Sequence, residues 1–152
     1  MSMEAIPAGS KVFSKSIHIH AAVSRVWEVL TTPEFMKKWM FDADLEVITD
    51  WKIGNPFVIR GDLHGLPFEN TGVVLQFEPE RILRYTHLSS VSRLKKVPEN
   101  FTLIEFQLAP VERETDLTIT LSNFPTETIY KHLAYYWTVT LEIIKKMAEA
   151  EK

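Results

Sequence analysis

At 152 residues, with 45% hydrophobic and 24% charged side chains, the chain has the size and composition of one ordinary globular domain, able to bury about 70% of its unfolded surface. Its formal net charge of -3 gives no broad basic footprint for nucleic acid or anionic lipid, and the absence of cysteine excludes disulfides, thiolate metal sites and cysteine nucleophiles. No apolar run approaches the roughly 20 residues needed to span a bilayer, and no signal-like opening is present, so the expected setting is the cytoplasm.

Residues 1–11 read as a flexible lead-in, with a single domain expected over 12–150. Residues 12–20 alternate, placing Phe13, Ile17 and Ile19 on one face and Ser14, Ser16, His18 and His20 on the other, as in a strand with one dry face. Two short helices follow. The first, over 24–30, carries Val26, Trp27 and Leu30. The second opens at Thr32-Pro33-Glu34, with Thr32 as expected N-cap and Pro33 at the first helical position, and carries Phe35, Met36 and Trp39. Six further strands are expected over 45–49, 56–62, 67–77, 81–88, 100–108 and 115–123. Turn chemistry separates them at Ile53-Gly54-Asn55-Pro56, His64-Gly65, Glu78-Pro79-Glu80 and Pro110 with the polar residues 112–116. Connections this short favour an antiparallel meander. The last element is a helix over 127–149, in which Ile129, Leu133, Trp137, Leu141, Ile144 and Ala148 recur at helical spacing, widened by Tyr136, Thr140 and Met147. So broad a stripe needs a sheet beneath it, and a long helix on a curved sheet can leave a cavity between them.

Several stretches, in order, carry a family resemblance. The opening is Ile19-His20-Ala21-Ala22, Val26-Trp27, Leu30-Thr31-Thr32-Pro33-Glu34 and Trp39. The centre is Gly72-Val73-Val74, Glu78-Pro79 and Arg81-Ile82-Leu83-Arg84-Tyr85-Thr86, and the end is Thr115-Asp116-Leu117-Thr118-Ile119-Thr120 with Trp137, Leu141 and Lys145. Together they resemble the AHSA-type family, named after the activator of heat-shock protein 90 ATPase, within the START-like (SRPBCC) helix-grip superfamily. The resemblance implies an α+β fold in which a curved antiparallel sheet wraps a long C-terminal helix, with two short helices after the first strand. It also implies a cavity under that helix for apolar small molecules, with cyclisation or hydration in some branches. Three positions depart from the family pattern: His87 where a Trp is usual, Leu121 where a His is usual, and Tyr136 where a Gly is usual. These changes reshape the expected cavity. The separate chaperone-gripping domain of the co-chaperone has no counterpart among the matching stretches.

The candidate ligand site takes Phe35 and Trp39 at one mouth, with Ile59, Val74, Tyr85, His87, Phe106, Ile119, Leu121, Leu133 and Trp137 around the walls. The alternative for all of them is a filled core. The expected function is binding of a small, largely apolar molecule with no cofactor. A co-chaperone-like interaction module and a pocket enzyme using His87 or Tyr85 are the alternatives. No catalytic residue is assigned, because no Asp or Glu in the sequence obviously orients His87. Arg60, Asn70 and Arg84 are candidates for the polar end of a ligand or for the solvated face of the sheet. Arg93, Lys95 and Lys96 read as a solvated loop tip, and Ser24, Ser89 and Ser92 lack a nucleophile-elbow context. His18 and His20 share a strand face, but two imidazoles fall short of the three protein ligands a zinc ion needs, so no metal is assigned. Tyr130, Tyr135 and Ile143 flank the buried stripe of the last helix and offer a homodimer patch.

Overall fold

A computed structural model describes residues 7–41 and 44–150. Where apolar residues alternate strictly, strands form. Leu117, Ile119 and Leu121 point inward from β7 (Glu114–Ser122) and are fully buried, and Ile104, Phe106 and Leu108 do the same from β6 (Thr102–Val111). The remaining strands are β1 (Val12–Ile19), β2 (Leu45–Ile48), β3 (Pro56–Leu63), β4 (Leu66–Glu78) and β5 (Ile82–Ser89). All pairings are antiparallel, and the described strands form one curved, unclosed sheet in the order β1-β7-β6-β5-β4-β3-β2. The first strand therefore pairs with the last.

Short turns set this meander. His64 and Gly65 both have positive φ and join Leu63 to its partner Leu66, the two-residue turn whose twist suits a hairpin. Gly72 is needed for close approach, since a Cβ there would collide with the Thr86 carbonyl of β5. A register shift between Val74 and Gln76 bends β4.

Pro110 was expected in a turn, and the structure corrects this. β6 runs through Pro110, which pairs with Thr115. The Leu108 N–H donates to the Arg81 carbonyl at 2.8 Å, so Pro110, two residues on, lacks its N–H on that same side, past the end of β5. No ladder hydrogen bond is lost.

The helices α1 (Val23–Thr31) and α2 (Pro33–Met40) follow β1, and α3 (Glu127–Glu149) ends the described fold. Thr32 occupies the N-cap position of α2 but makes no side-chain capping bond, whereas the Thr126 hydroxyl caps α3 by accepting from the Ile129 N–H at 3.1 Å. Leu133, Trp137, Leu141, Ile144 and Ala148 are buried as the spacing of α3 predicts. Within the expected lead-in, Ala8–Ser10 form a 3-10 turn and Ala8 packs against the core. Residues 1–6 lie outside the described residues.

Polar ties fix α3 to its neighbours. The Tyr136 hydroxyl donates to the Met40 carbonyl (2.6 Å) at the end of α2. At the other end, Lys145 Nζ donates to the His18 carbonyl (2.6 Å) on β1, and Arg25 Nη2 on α1 donates to the Met147 carbonyl (3.2 Å). No helix among the described residues is long and apolar enough to cross a membrane.

Candidate functional site

The two halves of α3 meet different surroundings. α1 and β1 pack against this helix, and Leu141, Ile144 and Ala148 of its second half join the filled core. Under the first half the space is not filled. A cavity of about 410 Å3 lies there, bounded by Ile129, Leu133, Tyr136 and Trp137 of α3, by Met40 and Phe41 at the end of α2, and by inward residues of β3 to β6. That volume holds roughly a dozen waters and lies within the usual range for small-molecule pockets. Val91, Thr128 and His132 line it and are also exposed, which puts its rim between the β5–β6 connection and the start of α3.

Period two along the strands decides what faces this chamber. On β4, Phe68, Asn70, Gly72 and Val74 share the inner face, and on β5, Leu83, Tyr85 and His87 do. Of the expected site residues, the structure brings Ile59, Tyr85, His87, Leu133 and Trp137 together around the chamber. Val74, Phe106, Ile119 and Leu121 do not line it and are buried in the same continuous core, with Trp27 and Leu30 of α1 and Met36 of α2. Trp39 is equally buried. Its indole N–H donates to the Val29 carbonyl at 2.8 Å and its ring packs on Trp137, so it stands behind the wall rather than at a mouth. Phe35 lies under the Arg25 guanidinium, 5.0 Å from the ring centroid, and does not line the chamber.

Phe41, Phe68, Leu88 and Tyr136 line the chamber without having been expected there as site residues, and of the three candidates for the polar end of a ligand Asn70 alone lines it. Asn70 had a readable signal, because it lies four residues before Val74 and so shares its face. The others depend on how far the helix stands off the sheet, which periodicity does not encode.

The wall is mainly apolar, and none of the described residues that line it is Asp, Glu, Lys or Arg. Two polar atoms in it stand out. Asn70 is only 6% exposed and its Oδ1 has no hydrogen-bond partner among the described residues, and the same holds for the buried Trp137 indole N–H. Buried polar groups are nearly always satisfied, so both are exceptions among the residues of the wall. Burial pushes the His87 imidazole down to about 4, helped by the nearby His132, so His87 is neutral near pH 7. Burial raises the Tyr85 and Tyr136 phenols well above the usual tyrosine range, and they stay protonated. The chamber thus offers neutral hydrogen-bonding groups on an apolar wall, with no carboxylate among the described lining residues to orient His87 as a base.

The other polar candidates separate clearly. Arg60 pairs with Glu69 (2.7 Å) and Arg84 with Glu105 (3.2 Å), both away from the chamber. Arg93, Lys95 and Lys96 are exposed in the β5–β6 connection. Ser89 and Ser92 line the chamber, where the Ser92 hydroxyl donates to the Ser89 carbonyl (2.7 Å), and Ser24 lies apart on α1. His18 and His20 sit at the end of β1, far along α3 from the chamber.

A family model described as Activator of Hsp90 ATPase homolog 1-like protein matches residues 20–149. Among solved structures, a protein from Cytophaga hutchinsonii is 32% identical over 92% of this chain and 94% of its own, with a TM-score of 0.78. The Aha1 dimer from Colwellia psychrerythraea is 25% identical over 93% and 98%, with a TM-score of 0.71. A protein from Nitrosomonas europaea is 24% identical over 98% and 100%, with a TM-score of 0.75. No curated protein matches the chain.

Proposed function

We propose that this chain, which belongs to the Activator of Hsp90 ATPase homolog 1-like family, binds a small, largely apolar molecule bearing a hydroxyl-type group in the chamber beneath α3. The observation that carries this reading is a cavity of about 410 Å3 whose apolar wall holds two buried, unpartnered polar atoms, one an acceptor and one a donor. Each 100 Å2 of apolar ligand surface removed from water contributes about 2.5 kcal/mol. A hydroxyl, which both donates and accepts, satisfies the Asn70 carbonyl or the Trp137 indole and sets the orientation. Binding is favoured over conversion, because the neutral His87 lacks a carboxylate partner among the described lining residues and Tyr85 holds its proton.

The test is native mass spectrometry of protein purified from its own host, followed by organic extraction and thermal-shift screening with apolar alcohols and phenols. A stoichiometric bound molecule, or a shift confined to compounds that fit the chamber, is expected. Empty protein that no such compound stabilises would overturn the proposal.

A second reading rests on a separate observation. Tyr135, Val139 and Ile143 form an exposed apolar row along α3 at steps of four, beside the end of α2. A second copy of the chain is the occupant favoured by the Colwellia relative, which is a dimer. Tyr130 does not belong to this row, since it packs on Phe124 and beneath Lys11. Light scattering of the protein and of Tyr135→Glu decides the matter. Loss of a dimer in the variant supports it, and a monomer at high concentration in the wild type rejects it.

A further inference from the structure

The register between the first and last strands builds a second cluster, remote from the chamber. Residues of β1 and β7 that face each other sum in their numbering so that Ser14 meets Thr120, Ser16 meets Thr118 and His18 meets Asp116. One step on, His20 falls opposite Glu114. All these side chains lie on the outer face, and the ladder is visible as hydrogen bonds between Ser16 and Thr118 (2.7 Å) and between Ser14 and Thr120 (3.3 Å). At its end the chemistry changes. His18 Nε2 donates to Glu114 Oε1 (2.7 Å), and His20 Nδ1 bonds Glu114 Oε2 (3.0 Å), so one carboxylate engages both imidazoles. A ligand atom from each of the three residues lies within 4.8 Å of the other two.

We propose that His18, His20 and Glu114 form a surface site for a divalent late first-row metal ion, Zn2+ being the probe of choice, with a fourth position open to water. Two neutral imidazoles and a carboxylate are a donor set that suits zinc rather than calcium or magnesium, and three protein ligands satisfy the minimum for such an ion. Ligands about 2.0–2.2 Å from zinc stand about 3.4 Å apart in a tetrahedron, so the hydrogen-bonded pairs must open slightly and the widest pair of the trio, now within 4.8 Å, must close on the ion. The ion replaces the proton on His18 Nε2, which passes to solvent.

The surroundings supply what an isolated trio would lack. His18 Nδ1 donates to Asp116 Oδ1 at 2.7 Å, which leaves Nε2 as the coordinating nitrogen and fixes the ring plane. A carboxylate behind a ligating imidazole is the usual outer partner in zinc sites. The backbone carries its own support, as the His20 N–H donates to Glu149 Oε2 (2.7 Å) and the His18 carbonyl accepts from Lys145 (2.6 Å), tying the cluster to the end of α3. Lys145 lies twelve residues beyond Leu133 on that helix, about 18 Å along its axis, so the cluster is separate from the chamber. The two histidines alone look insufficient in the sequence, and the missing ligand comes from a strand more than ninety residues away.

The experiment is calorimetric titration of Zn2+ into the tag-free full chain, beside His18→Asn, Glu114→Gln, Asp116→Asn and His64→Asn, with folding of each checked by circular dichroism. One Zn2+ per chain at micromolar or lower dissociation constant is expected. His18→Asn and Glu114→Gln should weaken it at least tenfold, Asp116→Asn about 10- to 100-fold, and His64→Asn not at all. Co2+ should give the visible absorption of a tetrahedral ion in the wild type and in His64→Asn, and not in His18→Asn or Glu114→Gln. Binding only near millimolar Zn2+, or equal binding by folded His18→Asn and Glu114→Gln, means an adventitious ion only and overturns the site.

Discussion

Replacing Asn70 by leucine separates stability from recognition in a single residue. Asn70 is 6% exposed in the wall of the chamber, and its Oδ1 has no hydrogen-bond partner. An unsatisfied buried acceptor costs about 1–3 kcal/mol, and leucine, with the same branching and a larger volume that the adjoining chamber can take up, removes that cost while adding apolar contact. The ligand-free variant should therefore be more stable by about 1–2 kcal/mol, which for a chain of this size raises Tm by roughly 3–6 °C. Recognition moves the other way. A hydroxyl-bearing ligand loses a hydrogen bond with a net value of about 0.5–1.5 kcal/mol, or up to roughly tenfold in affinity, while an analogue lacking the hydroxyl binds the variant undiminished. The assay is thermal unfolding followed by circular dichroism on protein stripped of ligand by unfolding and refolding, then calorimetry with the ligand pair. A lowered Tm, or equal loss for both analogues, would show that Asn70 is a structural group and refute the reasoning.

Ile129→Trp places a large ring at the chamber wall near its rim; the thermal shift from any chamber ligand should vanish while far-ultraviolet circular dichroism stays unchanged, and retained binding would move the ligand elsewhere. His87 gives a pH signature. Its folded pKa of about 4 lies below the ordinary 6.5, so the unfolded chain binds the extra proton first, and stability is full above pH 6.5 and falls as the pH drops toward 4. Denaturant titrations should show the wild type losing about 2 kcal/mol by pH 5 relative to His87→Leu, less where chamber water solvates the ring, and parallel pH profiles would contradict this. The two halves of α3 should also respond differently to truncation. Leu141→Ala opens a void in filled core and should cost about 3–5 kcal/mol, whereas Leu133→Ala enlarges an existing chamber and should cost less than half as much; equal losses in urea unfolding would count against an unfilled first half.

The fold was legible because its signals are periodic. Strict alternation in β6 and β7 and the four-residue steps of α3 each name a buried face, and short turns between strands leave little choice but a meander. The site was legible only to the same extent. Alternation correctly puts Val74 on the inner face of β4, yet it does not say whether a helix fills the space above, and Asn70, on that same face, meets the chamber while Val74 meets core. Phe106, Ile119 and Leu121 differ from Tyr85 and His87 in what α1 covers, which is a matter of helix placement. Pro110 shows a residue rule set aside by its surroundings, because a missing N–H is harmless once the neighbouring strand has ended. The pairing of His20 with Glu114 required the register of the first strand against the last, and no local pattern carries that.

The chamber and the core are consequences of one asymmetry. α3 is pinned at its second half by Lys145 to β1 and by Arg25 of α1 to the Met147 carbonyl, and there Leu141, Ile144 and Ala148 supply fully buried apolar contact. Its first half is held by the Thr126 cap and by the Tyr136 hydroxyl on the Met40 carbonyl. The family-typical glycine at position 136 would provide no such tie. Tyr136 instead braces α3 against α2 and fills part of the space with its own ring, packed on Phe41 and Trp137. His87, in place of the usual larger indole, returns space on the opposite wall and brings a neutral imidazole into it. The two departures act on facing surfaces, one adding bulk to the helix and the other removing it from the sheet. Both side chains line the chamber together with Ser89, Asn70 and Thr102, so any ligand it takes is selected by these side chains rather than by the fold.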